Sequence, residues 1–345
     1  MNHFLAFLNS KKNGRFDVLY FMSDIDLIKA PVKNELKEFE KYFNTYMKSR
    51  VPLLNIITKY VLKSKGKQMR PLLVFLSAKL FGKVTPSTFN AASQIELMHT
   101  ATLIHDDVVD ESYERRGFLS VNALWRNKIS VLVGDYLLAK GLLLAVDNSE
   151  FEVLRTVTDA VKEMSEGELL QIEKARKLDI REELYFEIIQ KKTAVLIAAC
   201  SKSGAQSGGA STEDVEKMKQ FGQAIGVAFQ IKDDLFDYNP ENKTGKPAGN
   251  DIREKKITLP LIFALKQVSA GEKKKILKIV ASKDPGKTQL NTVVEFVKSN
   301  GGFDYAVKKM NEFKQQSLDI LNSFPDNESK TALIEFVNYV TSRDK

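Results

Sequence analysis

The stretch HTATLIHDDVVD, which runs from His99 to Asp110, is repeated in outline by GVAFQIKDDLFD, from Gly226 to Asp237. Aligned without a gap, the two stretches share an alanine, an isoleucine and three aspartates. Apolar residues recur in each at spacings of three and four, which is typical of a helix with a buried face. Each stretch therefore predicts a largely buried helix that ends in the acidic motif DDxxD.

The same helical spacing continues elsewhere, as between Leu72 and Leu80, and convincing strand patterns are missing. We predict an all-α fold of roughly eleven to thirteen helices. Because most connections are short, the helices should form an antiparallel bundle. The Gly-rich run at 207–211 is too short for a linker. We therefore expect one domain over residues 22–345, after an N-terminal extension at 1–21 that is disordered or upstream of the true start.

Composition excludes several classes of protein. Of the 345 residues, 43% are hydrophobic and 28% charged, which is typical of a folded domain. The single cysteine, Cys200, excludes a secreted disulfide scaffold. The longest apolar candidate, Val131 to Leu144, is interrupted by charges, and Met1 to Phe21 is a poor secretory signal, so we expect a soluble, cytoplasmic protein. The net charge of +8 is spread over many lysines, which argues against a nucleic-acid partner.

Two acidic motifs each place three carboxylates within about one helical turn. Their members are Asp106, Asp107, Asp110, Asp233, Asp234 and Asp237. Such carboxylates repel one another unless they face water or hold cations, and a solvated acidic face is the alternative for either motif alone. The apolar flanks and the repetition favour cations. Oxygen ligands without a nearby cysteine suit Mg²⁺, which also takes phosphate oxygens, so the motifs predict Mg²⁺ ions on a diphosphate substrate.

Basic and polar side chains surround both motifs. Lys67 and Arg70 stand at a loop-to-helix junction, where free backbone N–H groups also favour phosphate. His99 lies two turns before Asp106 and shares its helix face. Each residue alone is more simply a surface or core side chain, and only the joint pattern indicates diphosphate binding. The other candidates are Arg115, Arg116, Lys192, Thr193, Gln230, Lys246 and Lys256.

In six motifs between Gly66 and Pro260 the chain resembles the trans-isoprenyl diphosphate synthase family. The motifs are GKxxRP, HTATLIHDDVVDESxxRRG, VNALWxNKxxVLxGDYLL, KTA, FQIKDDLFDY and GKPxGxDIxxxKITLP. The resemblance implies an all-α bundle around a central tunnel, usually a homodimer. It also implies that isopentenyl diphosphate is joined head-to-tail to an allylic diphosphate, with three Mg²⁺ ions held by the six aspartates.

The resemblance further implies a role for each candidate residue. The contacts implied for the allylic diphosphate are Arg115, Lys192, Thr193, Gln230, Lys246 and Lys256. Those implied for isopentenyl diphosphate are Lys67, Arg70, His99 and Arg116. The six aspartates and Lys192 are the implied catalytic residues. No side chain is a clear general base, and in this family the departing diphosphate is the implied proton acceptor.

Product length is predicted from the helix upstream of Asp106. Short-chain members of the family resemble one another in an aromatic plug four or five residues before the motif, where this chain has Thr102 and Ala101, with Met98 one turn deeper. We therefore expect an open tunnel and a long-chain product of the kind used for quinone side chains. The insolubility of such a product and the positive net charge favour peripheral membrane contact during its release.

Three alternative functions remain. The first is a short-chain synthase that makes farnesyl or geranylgeranyl diphosphate. The second is a class I terpene cyclase, whose second metal motif mixes Asn or Asp with Ser or Thr and Glu, unlike the stretch from Asp233 to Asp237. The third is a non-catalytic subunit of a heteromeric synthase, but such subunits usually lose acidic residues that this chain retains.

Overall fold

Helices dominate the described part of the chain, which confirms the predicted all-α class. The computed structural model describes residues 24–63, 66–115, 117–175, 181–238, 249–282 and 284–343, so the predicted extension at 1–21 lies outside them. The first seven helices are α1 (Asp24–Lys29 and Lys33–Tyr46, joined by a 3-10 turn at Ala30–Val32), α2 (Pro52–Lys63), α3 (Met69–Phe81), α4 (Pro86–Val109), α5 (Val121–Asp147), α6 (Phe151–Ala175) and α7 (Glu182–Ile189 and Val195–Ser207, joined by a π-helical segment at Gln190–Ala194). The next seven are α8 (Thr212–Asp237), α9 (Asn250–Arg253), α10 (Leu259–Lys266), α11 (Ala270–Val280), α12 (Lys287–Ser299), α13 (Gly302–Asn322) and α14 (Glu328–Ser342). This is one helix more than the upper end of the predicted number, and α9 has only four residues.

Two short strands directly follow the first acidic motif. β1 (Glu114–Arg115) pairs antiparallel with β2 (Phe118–Leu119). Gly117, in the turn between them, has a φ of 77°, which glycine adopts without steric cost. Strands of two residues are too short to show an alternating pattern, so the sequence carried no signal for them. The hairpin matters to the site because it positions Arg115.

The helix boundaries follow their local sequence signals. Pro86 is the first residue of α4, a position that proline favours because the first N–H groups of a helix have no partner within it. The hydroxyl of Ser211 accepts a hydrogen bond from the N–H of Asp214 at 3.1 Å and so caps α8. The Gly-rich run, predicted to be too short for a linker, forms the turn between α7 and α8.

The two helices that carry the acidic motifs, α4 and α8, both pack against α7. The contact between α7 and α8 is close because small residues face each other. A Cβ placed on Gly226 would lie 2.6 Å from the Cα of Ala194, so a larger residue there would push the helices apart. Outside this centre, α8 packs against α13 and α14, and α4 packs against α5. The buried core is continuous across these helices.

Helix α5 corrects one expectation from the sequence. Within the described residues it is the one helix long and apolar enough, by length and composition alone, to cross a membrane. One side of α5 packs on α4, yet only 39% of its most apolar window is buried. The interrupting charges are too few to lower its mean hydropathy as expected. A large apolar face of α5 is consequently exposed.

Helix α5 also contains a kink with unfavourable backbone geometry. Arg126 has φ 66° and ψ 167°, which lies in a region that is essentially restricted to glycine. Its side chain is exposed, so little packing depends on it.

We expect Arg126→Gly to stabilise the protein by about 0.5–2 kcal/mol, because relief of backbone strain exceeds the entropic cost of glycine. The measurement is the free energy of unfolding in urea. Arg126→Ala is the matched control, since it removes the same side chain but retains the Cβ, and it should bring no gain. Equal effects of the two substitutions would contradict this explanation.

Candidate functional site

The first acidic motif lies at the carboxyl end of α4. Asp106 is half-buried, and burial raises the pKa of its carboxyl to about 6. The Glu168 carboxylate on α6 raises this pKa further, whereas Lys192 and Arg115 oppose the shift. Asp110 directly follows the last residue of α4 and is exposed. Asp106 therefore lies at the side of α4 that faces α6 and α7.

Asp107 lies around the helix from Asp106, as expected for adjacent helical residues. It is buried, and the guanidinium of Arg115 donates to its Oδ1 from Nε at 2.8 Å and from Nη2 at 2.7 Å. The N–H of Ser112 also donates to the Asp107 carbonyl at 2.9 Å, which closes the turn towards the hairpin. The structure thus pairs Asp107 with the predicted diphosphate contact Arg115, while Asp106 faces α6.

The second acidic motif is organised by a chain of hydrogen bonds around buried Asp234. The Tyr185 hydroxyl donates to Oδ2 of Asp234 at 2.7 Å, and the Gln230 amide donates to Oδ1 at 2.9 Å. The Thr193 hydroxyl in turn donates to the Gln230 carbonyl oxygen at 2.7 Å. Burial, followed by the nearby Asp251 carboxylate, raises the pKa of Asp234 well above its usual range. This chain joins two predicted substrate contacts to a predicted metal ligand.

The other two aspartates of this motif contact different parts of the structure. Oδ2 of Asp237 accepts a hydrogen bond from the N–H of Asp251 at 3.1 Å, at the start of α9. Asp233 accepts a hydrogen bond from the guanidinium of Arg343, beyond the end of α14. Each aspartate of the motif is therefore held by a different segment.

Lys192 reaches the site from the π-helical segment of α7. Its ammonium pairs with Glu168 and donates to Oε1 of Gln171 at 3.1 Å, both on α6. A Cβ placed on Gly167 would lie 3.0 Å from the N of Lys192, so a glycine is needed for this close approach. Single π-helical turns within α-helices are frequent at functional sites.

One cavity unites most of the residues predicted for the allylic diphosphate. Lys192, Thr193, Gln230, Asp234 and Lys256 all line it. Burial acts to lower the pKa of Lys256, but the nearby carboxylates outweigh burial and raise it, so the ammonium stays charged. Cationic, amide and hydroxyl donors therefore face one space beside the second acidic motif.

A second cavity unites residues predicted for isopentenyl diphosphate. Arg70, His99, Asp107 and Arg115 line it, together with Glu96. Arg115, predicted for the allylic diphosphate, is thus brought beside the other predicted subsite. Lys67 is outside this lining and donates a hydrogen bond to the Tyr339 hydroxyl. Arg116 and Lys246 lie outside the described residues.

The residues predicted to control chain length lie along α4. Ala101 and Met98 are buried, and Thr102 is half-buried with its hydroxyl donating to the His99 carbonyl at 2.9 Å. Neither of the two cavities is lined by these three residues. Their role in chain length stays a prediction.

Sequence reasoning missed several side chains that complete the site. Asp251 lies within the motif GKPxGxDIxxxKITLP, so membership of this motif could have identified it as a site residue. Tyr185, Glu168 and Arg343 lie in unremarkable sequence, and only the packing of α6, α7 and α14 brings them to the acidic motifs.

The carboxylates of the two acidic motifs suit a Mg²⁺ ion whose coordination shell is completed by the phosphate oxygens of a bound substrate. Among the described residues, no three His, Cys, Asp or Glu side chains converge as a ready-made metal cage. Mg²⁺ in phosphate chemistry usually takes one or two protein carboxylates and completes its shell with water and phosphate oxygens. Asp106 and Asp110 on α4 and Asp233 and Asp237 on α8 offer such oxygen donors.

Comparisons with known proteins identify the family. The model of the polyprenyl synthetase family matches residues 51–297. An all-trans-nonaprenyl-diphosphate synthase (geranyl-diphosphate specific) from Rhodobacter capsulatus is 35% identical, over 92% of this chain and 97% of its own. Among solved structures, geranylgeranyl pyrophosphate synthase from Bacteroides thetaiotaomicron is 38% identical with a TM-score of 0.80, over 93% of this chain and 100% of its own. Polyprenyl synthase from Caulobacter crescentus, complexed with calcium and isoprenyl diphosphate, is 31% identical with a TM-score of 0.86, over 93% and 98%. This chain belongs to the polyprenyl synthetase family.

Proposed function

We propose that this chain is a Mg²⁺-dependent trans-prenyltransferase that condenses isopentenyl diphosphate with an allylic diphosphate to give a long-chain polyprenyl diphosphate. The observation that carries the proposal is the grouping of two acidic helix ends with two cavities that are lined by cations. The calcium and isoprenyl diphosphate of the Caulobacter crescentus structure support a divalent metal and this substrate class.

The two cavities have different roles in the reaction, since one binds the allylic diphosphate and the other binds isopentenyl diphosphate. Lys192 and Lys256 bind the allylic diphosphate, and the Thr193–Gln230 pair orients Asp234 beside it. Asp106 and Asp110 on α4 and Asp233 and Asp237 on α8 would hold Mg²⁺, which would supply positive charge to stabilise the departing diphosphate. Across the site, Arg70 and His99 hold isopentenyl diphosphate so that its double bond faces the allylic carbon. The departing diphosphate accepts the proton that is lost after the new C–C bond forms.

The test is incubation of the purified protein with labelled isopentenyl diphosphate, Mg²⁺ and farnesyl or geranylgeranyl diphosphate. The products are dephosphorylated and their chain lengths measured, beside an Asp106→Ala control. A ladder that ends at a long prenyl chain, absent from the control, supports the proposal. Termination at a short chain would refute the long-chain part, and no elongation would favour the non-catalytic subunit.

We also propose a cytoplasmic homodimer formed through the exposed face of α5. Its exposed apolar residues are Leu124, Val131, Leu132, Leu142, Leu143 and Val146. Those beyond the kink lie within about 120° around the helix, so they form one continuous face. Exposed apolar patches of this kind mark interaction sites, and a second copy offers an equally apolar face in return. Contact with a membrane surface during product release is the accompanying hypothesis.

We expect Leu132→Glu combined with Leu143→Glu to convert the dimer to a monomer, because charges would be buried without partners at the interface. Sedimentation equilibrium in detergent-free buffer measures the mass. Leu27→Glu on α1, another exposed leucine, is the control and should leave the dimer intact. A wild-type protein that is monomeric at all concentrations would refute the interface.

A further inference from the structure

The end of α14 and the residue that follows it contact two of the predicted site residues, Lys67 and Asp233. Tyr339 and Arg343 are four residues apart, which is about one helical turn. The Tyr339 hydroxyl accepts a hydrogen bond from Lys67, whose ammonium also lies 5.1 Å from the centre of the tyrosine ring. One turn later, Arg343 donates from Nη2 to Oδ1 of Asp233. Packing of α14 against both α3 and α8 makes these two contacts possible.

Arg343 lies in a pocket formed by one side of α8. Its Cζ is 4.1 Å from the ring centre of Phe229 and 5.6 Å from that of Phe236. These rings lie four residues before and three residues after Asp233, so all three side chains share a helix face. The Arg343 side chain is only 17% exposed. Stacking on aromatic rings and pairing with a carboxylate are the contacts that guanidinium groups favour.

The charge on Asp233 links this contact to metal binding. Asp233 is 39% exposed at its side chain, so a divalent cation in solution can reach this carboxylate. A guanidinium and a divalent cation on the same carboxylate oxygen repel each other and compete. The Nε of Arg343 is buried without a hydrogen-bond partner among the described residues, so the guanidinium is incompletely satisfied where it lies.

We propose that Arg343 is a positioning residue that competes with the divalent metal for Asp233. Metal binding at Asp233 then releases the last turn of α14 and breaks the hydrogen bond between Tyr339 and Lys67. The inference rests on the proposed function in placing metal at the second acidic motif. The N–H of Arg343 donates to the Tyr339 carbonyl at 3.1 Å, so displacement of Arg343 loosens the backbone at Tyr339. Lys67 then becomes available to an anionic ligand.

The test measures Mn²⁺ binding to the full-length protein by calorimetry, with inorganic diphosphate present at one fixed concentration to complete the metal shell and with no prenyl substrate. Arg343→Gln should tighten binding by about 3- to 10-fold, since it removes a partly buried competing ion pair. Arg343→Lys retains the charge and should restore most of the wild-type affinity. Tyr339→Phe removes the bond from Lys67 but leaves Arg343; because release of the turn breaks that bond in the wild-type protein, Mn²⁺ affinity should rise, but by less than in Arg343→Gln. Thermal unfolding checks that each variant is folded.

A second measurement follows the release directly. Amide hydrogen exchange over the last turn of α14 should accelerate when Mn²⁺ is added to the wild-type protein, and it should be fast already in Arg343→Gln. The inference would be overturned if Arg343→Gln bound Mn²⁺ no more tightly than the wild-type protein, or if neither protein showed saturable binding. It would also be overturned if addition of Mn²⁺ left the exchange rate of the last turn of α14 unchanged. None of these readouts depends on prenyl transfer, so a failure of the proposed activity would be distinguishable.

Discussion

Asp106→Asn is expected to lower prenyl transfer by about 100- to 1,000-fold, in the range seen when one charge-stabilising group is removed from an active site. The same substitution should stabilise the EDTA-treated protein by about 1–3 kcal/mol. The gain arises because burial, followed by the facing Glu168 carboxylate, raises the pKa of the Asp106 carboxyl to about 6 and so disfavours its charged form. An amide of the same shape removes this repulsion but provides a much weaker metal ligand.

The pH dependence of the stability gain has a defined sign. Between about pH 4 and pH 6 the folded protein keeps a proton on Asp106 that the unfolded chain has lost. The contribution of this group to wild-type stability therefore falls as the pH rises through that window and then stays constant. The advantage of Asp106→Asn should open over the same window and persist above it.

Urea unfolding at several pH values measures this difference, with product formation measured in parallel. Asp159→Asn on α6 is the matched control, because its side chain is 68% exposed and it should change neither quantity. An Asp106→Asn protein that retains full activity, or one no more stable than wild type at pH 8, would contradict the assignment of a strained, functional carboxylate.

Ala101→Phe is expected to change the product from a long chain to a short one. Ala101 is fully buried on α4, five residues before Asp106, and a phenyl ring there would block a chain that grows along the helix. Met98 lies one turn further from the motif, and a turn of about 5.4 Å corresponds to roughly one extended isoprene unit. Products of Met98→Phe should therefore end about one unit later than those of Ala101→Phe.

Chain-length analysis of the dephosphorylated products tests this order. A buried phenylalanine can also cost about 1–3 kcal/mol through overpacking, so Ala101→Val and Ala101→Leu provide graded steps that are easier to accommodate. Ala92→Leu is the control, because Ala92 is also buried on α4 but lies about 180° around the helix from Ala101. Equal shortening by both leucine substitutions, or an unchanged distribution in the whole series, would refute the proposed tunnel position.

The sequence predicts those parts of the site that lie within single segments. Asp106, Asp234 and their helices follow from local apolar spacing and from a repeated motif, and both features survive in the structure. The all-α class follows for the same reason, since helical periodicity depends on near neighbours.

Other parts of the site depend on which helices pack together, and local patterns do not contain that information. Tyr185 reaches Asp234 across 49 residues of sequence, and Arg343 reaches Asp233 across 110. The pairing of Asp107 with Arg115 depends on a hairpin whose strands have two residues each. The exposed apolar face of α5 was not predicted, because apolar spacing shows which face of a helix is hydrophobic but not which faces neighbouring helices cover.

The π-helical segment at Gln190–Ala194 limits how this chain tolerates changes in length. A π-turn takes up one extra residue and keeps the α-helical halves on either side in phase, whereas insertion of a further residue between Tyr185 and Ala194 would rotate one half of α7 against the other by about 100°. Tyr185 before the segment holds Asp234, whereas Ala194 at its end packs on Gly226. Both contacts cannot survive such a rotation. The segment therefore sets the rotational phase of the two halves of α7, and insertion of one residue beside it should be more damaging than deletion of one residue within it.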